Sequence, residues 1–236
     1  MDDWLELAAL AAARADVYRV LATALLAPPD EQVVSALLSD AVHVCLAPQE
    51  QMDVLPAGMT ARTLEALAAE YYRLFVVPGP SYVRPFESVY MDVPTGLWDP
   101  NGHRELHGEG EGRRGLLWGA STLAVQQSYA QAGLALTTYA GQPPDHVGLE
   151  LDFMACLCRH EGVAWAHGNA VEAHHLLDGE AAFLTDHLLR WIGQLAKRVA
   201  ASDVSPFYPF VAEIATTFTQ EDLGTIADLR QAHATL

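Results

Sequence analysis

Pro143-Pro144-Asp145-His146-Val147-Gly148-Leu149-Glu150-Leu151-Asp152-Phe153-Met154 runs on to His167 without another proline. The two prolines end whatever precedes them. Asp145 then stands immediately before apolar periodicity, where an acidic side chain caps a helix or sits in its first turn against the dipole. The pattern predicts a helix from about Asp145 to His167. Its apolar residues, among them Leu149, Leu151, Phe153, Met154, Cys156, Leu157 and Val163, cover most faces instead of one stripe. A helix apolar nearly all round lies at the centre of a domain. The expected fold is therefore all-α, a single-domain helical bundle spanning residues 1–236.

The flanking sequence supplies the surrounding helices. Asp2 to Leu26 reads as one long helix ended by Pro28-Pro29, and a second starts near Asp30 and continues towards Leu46. Thr60 caps a third, in which Leu64, Leu67, Ala68, Tyr71, Leu74 and Phe75 follow helical spacing. Residues 77–115 are rich in Pro and Gly, and much of the stretch reads as loop. Helix resumes from Leu116 to Ala132. Beyond the central segment, Asn169 to Ala201 is helical with an interruption at Gly179, and two shorter helices come after it, one from Pro206 and one from Glu221 to Ala234. Runs of Val, Ile and Thr with period-two alternation are hard to find, which argues against a sheet.

Composition narrows the partners. With 13 Lys and Arg against 30 Asp and Glu, the formal charge is −17. Such a chain repels phosphate backbones and anionic lipid, so neither nucleic acid nor a membrane surface is expected as partner, whereas a basic peptide would be attracted. Acidity serves solubility equally well. The three cysteines, Cys45, Cys156 and Cys158, lack the spacing of zinc or thioredoxin motifs and suit a reducing compartment. The start Met1-Asp2-Asp3 lacks a basic leader, and no apolar stretch approaches the roughly 20 residues needed to span a bilayer. A cytoplasmic location is expected.

Three separated segments together resemble the TorD/DmsD/NarJ family of chaperones for complex molybdoenzymes. The first is Glu70-Tyr71-Tyr72-Arg73-Leu74-Phe75, with Pro85-Phe86-Glu87-Ser88-Val89-Tyr90 after it. The second is the stretch Pro143 to Met154. The third is Phe183-Leu184-Thr185-Asp186-His187-Leu188-Leu189-Arg190-Trp191, with Pro206-Phe207-Tyr208 beyond it. The resemblance implies a protein that binds the twin-arginine signal peptide of a molybdopterin oxidoreductase catalytic subunit in its apo form and delays export until the cofactor is inserted. Cofactor-insertion machinery joins the expected partners. No catalysis, bound cofactor or metal is implied, and monomer and homodimer both stay open. The resemblance further implies ligand binding by Tyr71, Leu74 and Phe75 on one helix and by Pro143, Asp145 and His146 at the start of another. Tyr71 stands where some members carry tryptophan.

Physical chemistry gives each candidate two readings. Paired guanidinium groups ahead of an apolar segment call for carboxylates beside an apolar trough. Tyr71, Leu74 and Phe75 form either that trough or ordinary core. Asp145 is an arginine acceptor, a helix cap, or both. His146 and Glu150, four apart, share a helix face and either hold a peptide or satisfy each other. Glu87, between Phe86 and Tyr90, either contacts the peptide together with Tyr90 or, if buried, needs a partner and ties its loop to a neighbouring helix. His187, near Phe183 and Trp191, reads as a hydrogen-bonded core histidine.

Two other functions are expected less. One is a NarJ-like assembly factor for a non-exported molybdoenzyme subunit. The other is a helical metal-dependent hydrolase using His103 and His107, which lie four apart but among glycines, with Glu105 misplaced for a His-Glu-x-x-His motif. The Gly108 to Gly115 run lacks the Gly-Lys-Ser/Thr ending of a phosphate-binding loop.

Overall fold

A computed structural model describes residues 2–38, 60–92, 118–134 and 141–232. The elements are α1 (Asp2–Leu26), α2 (Glu31–Leu37), α3 (Ala61–Tyr71), α4 (Glu87–Met91), α5 (Ala120–Gln131), α6 (Val147–Ala166), α7 (Ala170–Phe183), α8 (Leu189–Ala200) and α9 (Phe207–Ala232). The all-α expectation holds. Among the described residues the extended backbone pairing is an isolated bridge between Phe86 and His146. No helix among them is long and apolar enough to cross a membrane. The expected end of the second helix near Leu46, Cys45, the histidines His103 and His107, and the Gly108 to Gly115 run lie outside the described residues.

The local rules account for most boundaries. Asp30 caps α2 by accepting from the Val33 amide at 2.9 Å, and Thr60 caps α3 by accepting from Thr63. Two helices do not stop where α-geometry does. After α3 the chain makes a π-turn over Tyr72–Val76, closed by the Val77 amide on the Tyr72 carbonyl. After α7 a second π-turn covers Leu184–Leu188. These wider turns insert a residue into the helical frame and re-aim the chain beyond them. The interruption expected at Gly179 is thus displaced to Leu184–Leu188, because a glycine that meets no steric demand leaves a helix running. The two short C-terminal helices are one helix of 26 residues, since nothing between Phe207 and Ala232 breaks it beyond Pro209 in its first turn.

α6 occupies the centre, as its all-round apolarity requires: Val147, Leu151, Met154, Ala155, Cys158 and Trp165 are fully buried. Its main neighbour is α1, packed along its length. Gly148 makes that closeness feasible, because a Cβ there would collide with the Leu26 side chain and stand 3.0 Å from the Ala22 carbonyl oxygen. α7, α8 and α9 complete the wrap, with Trp191, Leu195, Tyr208 and Ile214 turned inward. Each fully buried Leu, Ile or Phe of this core contributes roughly 1.5–3 kcal/mol relative to exposure.

A buried ionic hub ties four of these helices together. Arg14 of α1 donates from Nε to Asp222 of α9 (2.5 Å), from Nη1 to Glu161 of α6 (2.6 Å) and from Nη2 to Glu180 of α7 (2.5 Å). The Tyr18 hydroxyl adds a bond to Asp222 at 2.7 Å, and Trp165 Nε1 donates to Glu161 at 2.7 Å. Burial, only partly offset by Arg14, pushes the Glu180 carboxyl up to about 8.

Candidate functional site

The matching segments meet at a seam formed by the chain from Val83 to Tyr90. The Val83 amide donates to the Leu74 carbonyl at 2.7 Å on one side. On the other, Val147 donates to the Pro85 carbonyl (2.8 Å) and Glu87 donates to the Asp145 carbonyl (2.9 Å). This strap therefore joins the end of the Tyr72–Val76 turn to the start of α6. It also carries α4, whose own N-cap, Phe86, has no side chain able to accept. Asp145 supplies the missing acceptor: its Oδ2 takes the Ser88 amide at 2.9 Å. Capping of α6 falls to His146, whose Nδ1 accepts from the Gly148 amide at 3.1 Å. Asp145 is thus a cap, but of α4 and not of the helix it precedes in sequence.

Tyr71, Leu74 and Phe75 are buried. The rings of Tyr71 and Phe75 pack on Tyr208 at 6.2 and 5.6 Å, and the Tyr71 hydroxyl donates to the Leu25 carbonyl. In this conformation they form an interior wall and not an open trough. Pro143 and Tyr90 are buried as well. Tyr90 donates to the Arg84 carbonyl (3.1 Å) and lies between Trp191 and the Arg198 guanidinium, 4.5 Å above its ring. Burial pushes its phenol up to about 12.

Behind the strap lies a chamber of three carboxylates, Glu87, Asp145 and Glu150, each with 0% exposure. Glu87 Oε2 lies 2.9 Å from His187 Nδ1. This ties α4 to the π-turn after α7, the partner that a buried Glu87 requires. Trp191 Nε1 donates to Glu150 Oε2 at 3.1 Å. The pairing of His146 with Glu150 expected from their spacing does not form, because His146 is a cap with extended backbone, so the helical four-residue rule does not reach it. Burial holds the His146 imidazole down at about 3, which keeps it neutral and able to accept. Burial, reinforced by Glu87 and Asp145, pushes the Glu150 carboxyl well above the usual range. Glu87 is raised chiefly by burial, with His187 pulling the other way.

The chamber is incompletely satisfied. Glu87 Oε1, Asp145 Oδ1 and Glu150 Oε1, together with Ser88 Oγ beside them, are buried without a hydrogen-bond partner among the described residues. Native interiors hold few such atoms, and each marks either strain or a missing ligand. A bare metal ion fits poorly. Among the described residues, the donor atoms gathered within 4.8 Å of one another are those of Cys158, Glu161 and Glu180, where the Arg14 guanidinium already sits. The more widely set chamber oxygens suit a broad, planar cation with several N–H donors.

Sequence patterns pointed to Glu87, Asp145, Glu150 and His187 but not to Trp191 or Ser88 as their partners, nor to the Arg14 hub. A signal for the hub existed: Arg14 interrupts an alanine-rich apolar helix, and an arginine there is tolerated only if paired.

Fold and chamber together define an all-α protein with a buried cluster of three acids behind a short helix. A family profile described as nitrate reductase delta subunit matches residues 10–197. The chain belongs to this family, the TorD/NarJ group. It is 23% identical over 220 residues to the chaperone protein TorD of Shewanella pealeana, covering 89% of this chain and 87% of that one. To the chaperone protein TorD of Psychrobacter sp. it is 25% identical over 187 residues, 78% of this chain and 71% of the other. To that of Vibrio cholerae serotype O1 the identity is 24% over 165 residues, 70% of this chain and 64% of the other.

Proposed function

We propose that this protein is a cytoplasmic chaperone in the maturation of a molybdopterin-dependent oxidoreductase. It binds the twin-arginine signal peptide of the catalytic subunit and masks it until cofactor insertion is complete. The description of its relatives as chaperones supports the general role. The observation that carries the finer reading is the chamber, where three buried carboxylates each keep one oxygen without a donor. A guanidinium offers five N–H groups in one plane and can satisfy several carboxylates at once. An ammonium is a compact point charge and reaches fewer.

One arginine of the pair enters behind the strap when the five-residue α4 swings away from Asp145, and the surrounding acidity speeds the encounter. Tyr71, Leu74, Phe75, Pro143, His146 and Tyr90 then act as the wall that sets the chamber's shape. Ion pairing with the signal's arginine is a binding event, so the protein needs no bound cofactor for it.

Calorimetry with synthetic peptides tests this. A twin-arginine peptide binds about tenfold or more tightly than its twin-lysine counterpart, and Asp145→Asn weakens the arginine peptide more than the lysine peptide. Equal affinities, or equal losses in the variant, contradict the assignment. A peptide from the N-terminus of a non-exported subunit, titrated alongside, distinguishes an assembly factor from an export chaperone.

A further inference from the structure

On the side of His187 away from Glu87 lies a groove. The imidazole is shared: Nδ1 faces Glu87, and Nε2 lies 3.4 Å from Ser128 Oγ, on the lining of a cavity of about 260 Å³ between α5, α6 and α7. The floor of that cavity is apolar, made by Phe153, Leu157, Leu176 and Phe183. A second cavity of about 560 Å³ adjoins it, within the range of roughly 300–1,000 Å³ usual for ligand sites. Gln131, Ala132, His175 and Leu176 line both, so the two form one channel along α6 and α7. Val163 borders the far part and is 56% exposed.

The channel is also kept clear. Gly179, in the middle of α7, lines it, and a Cβ built there meets nothing within 4 Å. No steric demand explains the glycine, which weakens the helix relative to alanine. A longer side chain at this position would stand over the apolar floor.

We propose that this channel seats an apolar peptide segment whose preceding basic residue pairs with the Glu87–Asp145–Glu150 acids, making acids and channel one binding track with His187 as the partition. The charge pattern commits the occupant: acids, including Asp186 on the rim, cluster at the His187 end, Phe153, Leu157, Leu176 and Phe183 floor the stretch beside it, and His160, His167, Asn169 and Glu172 border the far part. A ligand basic at one end, apolar next and polar beyond matches that order. The proposal rests on the peptide-binding function proposed for the chamber and extends it to the α5–α6–α7 face.

Three peptides and two variants test it by calorimetry, with circular dichroism confirming the fold. The parent peptide carries an arginine pair and then about 12 Leu and Ala residues. A second replaces that tail with Ser and Gly, and a third replaces the arginines with glutamines. Wild type binds the parent about tenfold more tightly than the Ser/Gly peptide. Gly179→Leu abolishes that difference, whereas Gly224→Leu, a helix glycine in α9 that also meets nothing within 4 Å, leaves it intact. If Gly179→Leu binds all three peptides as wild type does, or if wild type does not distinguish the two tails, the channel assignment falls. If the glutamine peptide binds as well as the parent and is still lost in Gly179→Leu, the channel stands and the chamber reading falls.

Discussion

Two interior sites in this protein are built from the same parts and differ in one. The hub groups Glu161, Glu180 and Asp222; the chamber groups Glu87, Glu150 and Asp145. In each, a tryptophan indole donates to one glutamate, Trp165 to Glu161 and Trp191 to Glu150. The hub holds Arg14, whose four hydrogen bonds span α6, α7 and α9. The chamber has His187 on one of its acids and orphan oxygens on all three, against one, Glu180 Oε1, in the hub. The contrast teaches how one guanidinium can join two glutamates and an aspartate in an interior; under the function proposed above, the chamber receives one from outside.

The largest effect that could break this comparison comes from Arg14→Met, which strands three buried carboxylates. It should cost about 3–5 kcal/mol in chemical denaturation. A loss below about 1 kcal/mol would mean that such a set tolerates burial without a cation, and the parallel would fail. Next comes pH. Glu180 sits at about 8 when folded against an ordinary 4.5, so the folded state holds the extra proton between these values. Stability should be fullest below about pH 4.5 and fall as pH rises through about 8, with a slope of at most about 1.4 kcal/mol per pH unit from this group. Thermal melts of Glu180→Gln should show a flatter profile across that window, and an unchanged slope would remove Glu180 as the source.

A somewhat smaller effect sharpens the chamber's side. Glu150 and Glu87 are raised in the free protein, so a bound guanidinium drives them towards the carboxylate and expels protons. Peptide affinity should rise with pH by a few-fold per unit, and calorimetry in buffers of different ionisation heat should detect proton release. Proton uptake would contradict the picture. The smallest expected effect is that of Glu150→Gln. It keeps an acceptor for Trp191 and removes an unsatisfied buried acid, so it should raise stability by about 1 kcal/mol at pH 8 while weakening the arginine peptide. Loss of both stability and binding would make Glu150 a structural acid.

Much of the fold was legible because it rests on periodicity. The all-round apolarity after Asp145 announced a central helix, Asp30 announced a helix start, and Thr60 announced a cap that formed. The merging of the two C-terminal helices and the wider turns at Tyr72–Val76 and Leu184–Leu188 were not legible, because they depend on packing and not on local breakers. The site was half legible for the same reason. Burial demanded partners for Glu87 and His187, but spacing could not say that they would choose each other across 100 positions. Nor could helical arithmetic show that Asp145 would cap a helix far upstream while its neighbour His146 capped their own.

Under the mode of binding proposed above, the strap's two backbone bonds, Glu87 to Asp145 and Val147 to Pro85, make α4 a latch whose state can be timed. A molecule without its guest must let the latch flicker for an arginine to pass, exposing both amides to solvent deuterium. Once the guest is inside, the same bonds are pinned by the charge behind them, and exchange at those two positions slows. Occupancy would thus be written into the clock of two peptide hydrogens, readable without a label on the cargo.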